Sequence, residues 1–222
     1  MKFKISIGTG ILWVLIWVGF MLVYTLLDVA IWRKLVPSCE KYLNIISIAF
    51  SIVVFLFFLT KQNNYRIHLF RNISIPGILF AMGAAVFLYF LLDKGLDPAL
   101  ERIFPASEQS YQETLQTLRK TPMVSLFQIC ILAPVIEEIL MRDYLLNGLS
   151  ISYGSIIALF VSSLLFALLH FNMVQTISAF ICGIVLGLLY LHTDSIFCCI
   201  LTHMGYNLIS YVMVILPPLR NH

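Results

Sequence analysis

Charge is what this sequence has least of. Asp, Glu, Lys and Arg make up only 11% of its 222 residues, whereas 60% are hydrophobic and the mean hydropathy is +0.95. A soluble domain is about 45–50% apolar, so a water-soluble globule is excluded and an integral membrane protein is left. The net charge of +3 is small and scattered over short connecting segments, which gives no footprint for a nucleic-acid partner. Cysteine is sparse too. Of the five, Cys130, Cys182, Cys198 and Cys199 lie within apolar runs and only Cys39 sits near a loop, so there is no disulfide framework. Internal repeats, low-complexity tracts and an HExxH zinc motif are missing. The opening is expected to be a retained first transmembrane helix, not a cleavable signal peptide. The basic opening with Lys2 and Lys4 precedes an apolar stretch far longer than the roughly 7–15 residues of a signal h-region, and no small-residue cleavage site follows.

What is present is a series of apolar stretches. A bilayer crossing needs about 20 mainly apolar residues, and the pattern predicts spans at 7–32, 43–60, 74–92, 123–147, 154–171, 173–191 and 195–216. The expected fold is all-α, a polytopic bundle of about seven spans in one membrane domain, 1–222, with an eighth, amphipathic helix at the surface. Connections near Asn172 and Thr193 are so short that the last four helices must form a tight antiparallel group. The polar segment 93–121 carries Ser107, Ser110 and Glu113 in a pattern that predicts a capped, partly amphipathic surface helix. Its simplest role is a connector, with lid duty as the alternative. Basic residues occur on successive loops (Lys4, then Arg33, Lys34 and Lys41, then Lys61, Arg66 and Arg71) and so vote for both orientations, with a cytoplasmic N-terminus preferred. Asp28, near the end of the first span, is expected to cap or snorkel.

Against this background, "LAPVIEEILMR" (132–142) places two adjacent carboxylates and a guanidinium inside an apolar run. Each helical residue advances about 100°, so Glu138 and Arg142 share a face in the favourable order, while Glu137 points roughly 100° away. Glu138 is therefore expected to be held by Arg142, and Glu137 to face a polar cavity. Glu137 lies about 21 Å along its helix, within a hydrocarbon core about 30 Å thick. Ionisable groups at that depth are functional by default, with a purely structural charge cluster as the alternative.

Further polar groups follow at helical spacing. "FALLH" sets Phe166 and His170 four apart, and "HMGYN" sets His203 and Asn207 four apart. Alone, His170 reads as an interfacial group and the His203/Asn207 pair as an interhelical clasp. Together with the glutamates they form an inventory for hydrolysis by activated water. Glu137 can take a proton from water, His170 can position that water, and His203 with Asn207 can stabilise an oxyanion. No serine or cysteine nucleophile and no cofactor is required. Two glutamates and two histidines also match zinc ligand types, but Arg142 beside Glu138 disfavours an adjacent metal.

The combination "EEILMR", "FALLH" and "HMGYN", in this order on successive late helices, resembles the EExxxR, FxxxH and HxxxN motifs of the CPBP family. These are the CAAX proteases and bacteriocin-processing proteins, also called the Abi family of glutamic intramembrane proteases, and they include the type II CAAX prenyl endopeptidases. The resemblance covers roughly residues 122–216. It implies an intramembrane protease in which Glu137 and His170 activate water, His203 and Asn207 form the oxyanion site, and Glu138, Arg142 and Phe166 support the geometry. Asp143 departs from the pattern, since many members have Gly there. The implied partners are membrane lipid and a peptide or lipidated protein substrate, at a multi-pass position in a bacterial plasma membrane. A non-catalytic immunity protein, or a scaffold regulating a membrane partner, is the competing reading, and a transporter is a third.

Several residues are assigned to structure. Ala179, Gly183 and Gly187 form a small-xxx-small packing stripe. His192 and Asp194 are expected in a solvent-facing turn, Cys198 and Cys199 in apolar packing, and the "NIS" at Asn72 is set aside as a chance glycosylation match.

Overall fold

The computed structural model of the chain describes residues 3–36 and 39–214. Lys2 and the end of the last expected span, residues 215 and 216, lie outside them. The described residues form eight helices and no strand: α1 (Ile7–Leu35), α2 (Glu40–Asn63), α3 (Ile75–Ile103), α4 (Pro105–Arg119), α5 (Pro122–Tyr153), α6 (Ser155–Leu168), α7 (Met173–Thr193) and α8 (Ile196–Val214).

Six of these helices are long and apolar enough to cross a bilayer, α1, α2, α3, α5, α7 and α8, which makes this a multi-pass membrane protein. The expected fifth span is the exception. α6 has 14 residues and is about 21 Å long, so it cannot cross a core about 30 Å thick. It stops because the chain turns at 169–172, where Asn172 caps α7 by accepting from the Gln175 N–H at 3.3 Å. Other helices outrun their expected ends. α3 continues past residue 92 through Asp93, Asp97 and Glu101, because Tyr206 and Ser210 of α8 supply hydroxyl donors to Asp93 at 2.8 and 2.5 Å. α4 starts at Pro105, whose fixed φ suits a first helical position, so Ser107 lies inside the first turn and is not its cap.

The centre of the molecule is α5. Residues 138–146 are all buried, an unbroken run that includes Glu138, Arg142 and Asp143. A helix covered on every side must be wrapped by others, and here α6, α7 and α8 contact it. α8 packs more extensively on α3 than on its chain neighbour α7, so α3 belongs to this group as well. α1 and α2 present Leu12, Leu15, Leu22, Phe50 and Phe57 outward, where hydrocarbon replaces water as the surrounding medium. α5 carries two stretches of wide, i→i+5 turns, Gln128–Leu132 and Ile139–Leu146, on either side of Ala133–Glu138. Such widened turns are uncommon and recur at functional positions.

Two glycines, one for its backbone angle and one for a tight approach, fix α6 and α7 on this core. Gly154, at φ +83°, joins α5 to α6 in a conformation that L-residues with a side chain rarely adopt. Gly183 of α7 faces Ser163 of α6 so closely that an added Cβ would sit 3.0 Å from the serine Cβ and 3.1 Å from its Cα. The second of these atoms is backbone and cannot rotate away. Gly183→Leu is therefore expected to force the two helices apart and to cost at least about 1–3 kcal/mol, read as a lower midpoint of thermal unfolding in detergent.

Candidate active site

α5, α8 and the end of α6 bring Arg142, His203 and His170 together around one side chain, Phe166. Its ring is 1% exposed and lies 5.0 Å from the Arg142 guanidinium carbon, 5.2 Å from the His170 ring and 5.8 Å from the His203 ring, both imidazoles edge-on. A desolvated guanidinium over an aromatic face gains about 2 kcal/mol. That contact compensates an otherwise costly group. Arg142 has no exposed surface, its Nε approaches Glu138 Oε2 to 3.2 Å without hydrogen-bond alignment, and no protein acceptor meets its terminal nitrogens among the described residues.

The two glutamates are placed differently. Glu138 is fully buried and accepts from His203 Nδ1 at 2.8 Å through Oε1, while Oε2 faces Arg142. The Glu137 side chain keeps 20% exposure and lines a cavity of about 410 Å³, into which Glu138 and Arg142 do not reach. His203 bridges them, with Nε2 3.8 Å from Glu137 Oε2. That bridge was not expected, since spacing along one helix says nothing of an imidazole arriving from another. A doubly protonated His203 would balance the cluster, two carboxylates against two cations, and would leave an N–H at Nε2.

Phe166, His170, His203 and Asn207 line the same cavity as Glu137. His170 follows the end of α6, and its Nδ1 lies 3.2 Å from the Phe166 carbonyl. With Nδ1–H donating there, Nε2 carries the lone pair. The turn is held by Thr176, whose hydroxyl donates to the His170 carbonyl, and by Asn172, whose amide donates to the Ser107 carbonyl of α4 at 2.7 Å. No direct hydrogen bond joins His170 to Glu137 among the described residues, and a cavity of this size accommodates water between them. Asn207 donates one amide hydrogen to the Ile129 carbonyl at 2.9 Å, within the first wide-turn stretch of α5, and keeps the other. No three His, Cys, Asp or Glu side chains converge as metal ligands among the described residues.

Asp143 turns away from this cluster. It is 1% exposed and accepts from the Tyr65 hydroxyl, from the His68 backbone N–H at 3.0 Å and, at a longer 3.4 Å, from Tyr190. The carboxylate thus ties the α2–α3 connection to α5 and α7. Asp28 is likewise buried and paired with Arg33 at 2.8 Å, in place of the expected snorkelling. Asp194 pairs with Arg71, and the Asn72 amide donates to it at 2.9 Å. Four acids escaped the sequence reading altogether. Asp93, Asp97 and Glu101 of α3 and Glu108 of α4 line the same cavity as Glu137. The signal was available, since the first three recur at every fourth position.

Residues 119–209, which hold all three motifs, match the family model described as Type II CAAX prenyl endopeptidase Rce1-like. The match covers less than half of the chain and marks this stretch as similar to the Rce1-like domain. No curated protein and no solved structure matches the chain.

Asp143→Ala provides a check on the separation between support and site. It leaves the Tyr65 hydroxyl and the His68 N–H, which both donate to Asp143 Oδ2, without their acceptor, so a loss of about 1–3 kcal/mol is expected. It is measured as a lower unfolding midpoint, with the Arg142–Glu138 cluster left in place.

Proposed function

We propose that the protein is an intramembrane endopeptidase that hydrolyses a peptide bond of a membrane-associated peptide or lipidated protein by glutamate-activated water. The observation that carries this reading is the unequal treatment of two adjacent carboxylates. Glu138 is sealed against Arg142 and His203, while Glu137 opens onto a cavity shared with His170, His203 and Asn207. A merely structural charge cluster has no reason to keep one member wet.

In this reading a water lies between Glu137 and His170 Nε2. Its oxygen attacks the substrate carbonyl carbon as Glu137 takes one of its protons. The carbonyl oxygen becomes an oxyanion, met by the Nε2–H of a doubly protonated His203 and by the remaining amide hydrogen of Asn207. Collapse of the tetrahedral species breaks the C–N bond, and the proton held by Glu137 passes to the leaving amine. Glu138 holds His203 in the donating form, and Phe166 sets the mutual positions of His170, His203 and Arg142.

Reconstituted protein with candidate peptides tests the mechanism. Glu137→Gln and His170→Ala are each expected to lower kcat by about 10²–10⁴, and Asn207→Ala by about 10²–10³. Cleavage retained in both Glu137→Gln and His170→Ala would sink the mechanism. Chelators are expected to leave activity intact, and activity lost to a chelator and restored by zinc would favour a metalloprotease. Full biological function from Glu137→Gln would favour a non-catalytic scaffold.

A further inference from the structure

The cavity that holds Glu137 is acidic far beyond the chain's average. Its wall carries five carboxylates, Glu137 with Asp93, Asp97, Glu101 and Glu108, and among the described residues no lysine or arginine. The whole chain has only 11 Asp and Glu and a net charge of +3, so nearly half its acids converge on one space. None of the four outlying acids forms an ion pair with a lysine or arginine among the described residues. Their partners are neutral: Tyr206 and Ser210 for Asp93, Ser178 for Asp97, and Gln112 for Glu108 at 2.6 Å. Glu101 lies close enough to Glu108, Asp97 and Asp93 to feel their charge. Like charges this close, with no cation between them, are mutually unfavourable. Tyr111 of α4 registers the field, its phenol pushed up to about 12 by burial and by Asp93, Asp97, Glu108 and Glu101.

This wall is mechanically joined to the reacting end. The Asn172–Ser107 hydrogen bond holds the first turn of α4, and so Glu108, beside the His170 turn, and the Ser178–Asp97 bond holds α3 against α7. A second, independent feature adjoins Glu137. There, Glu137 and Ala133 also line an apolar groove of about 310 Å³ walled by Trp17, Met21, Ile52 and Phe171 from α1, α2 and the α6–α7 turn. Glu137 therefore stands between an apolar space and an acidic one. A ligand that fills both is apolar on one side of the reacting carbon and cationic on the other.

We propose that the substrate is an apolar, membrane-embedded peptide segment bearing a lysine or arginine to one side of the cleaved bond, its cation received by Asp97, Glu101 and Glu108. This rests on the endopeptidase reading and assigns a specificity to it. Coulomb attraction to several half-buried carboxylates, in a medium less polar than water, provides the recognition. A neutral or acidic residue at the same place leaves that wall uncompensated.

The test scans one lysine, glutamine or glutamate along both sides of the scissile bond of an otherwise constant apolar peptide, using the full chain in detergent or liposomes. At one position, kcat/KM for lysine is expected to exceed that for glutamine at least tenfold, with glutamate poorer still. Glu101→Gln/Glu108→Gln is expected to bring the lysine-to-glutamine ratio towards one, and Glu101→Lys/Glu108→Lys to favour the glutamate peptide. Equal rates for lysine and glutamine peptides, or a ratio unchanged in both double variants, would overturn the inference and leave the endopeptidase reading standing. Binding separates the two claims. Fluorescence anisotropy with Glu137→Gln protein is expected to show the lysine peptide bound at least fivefold tighter than the glutamine peptide. If no peptide is cleaved but this preference holds and disappears with Glu101→Gln/Glu108→Gln, hydrolysis fails while the cation site survives. Equal binding of the two peptides overturns the site itself.

Discussion

Glu138 has no exposed surface, and the site is organised around how its charge is met. Arg142 approaches one carboxylate oxygen from the next turn of α5, and His203 binds the other from α8. Leaving such a charge unpaired in the interior would cost about 3–5 kcal/mol, so α8 is locked in register against α5. His203 is then presented to Glu137 by its second nitrogen, and Asn207, one turn on, reaches the Ile129 carbonyl. The guanidinium in turn rests on Phe166, which sits one helical turn before His170. A single buried ion cluster thus sets the relative positions of three helices.

The rest of the fold serves that arrangement. α6 is too short to cross the bilayer, and its early end delivers His170 into the interior on a turn braced by α4 and α7. The wide turns of α5 flank the segment that bears the glutamates. Asp143, immediately after Arg142, faces away from that cluster and gathers Tyr65, His68 and Tyr190, so neighbouring residues on one helix serve the buried ion cluster and an anchor. The position directly after Arg142 thus carries an acceptor that secures the α2–α3 connection.

Much of this was legible in the sequence, for reasons that can be named. Apolar run length predicted helices close to those found for α2, α7 and the described part of α8, because bilayer thickness imposes one scale on all of them. The i, i+4 rule brought Glu138 to Arg142 and Phe166 to His170, since both pairs lie within one helix. The same rule could not show His203 joining the two glutamates, because that contact depends on how α8 is rotated against α5. Nor did apolar run length foresee that α3 continues through Asp93, Asp97 and Glu101, whose polar faces are satisfied by α8 and by the cavity instead of by water at a helix end. α6 was overestimated for the same reason, its last apolar residues being used in a turn. Packing between helices, unlike periodicity within them, is not written in any single segment.

The central claim is that Glu137 and Glu138 carry the same charge but different duties, and thermal unfolding of Glu137→Gln and Glu138→Gln in one detergent tests it most directly. Removing the Glu138 charge strips Arg142 and His203 of their counterion and is expected to lower the unfolding midpoint markedly. Removing the Glu137 charge relieves repulsion between neighbours and is expected to leave the midpoint unchanged or to raise it, as for a functional group held at a cost to stability. Equal destabilisation by the two substitutions would contradict the division of roles.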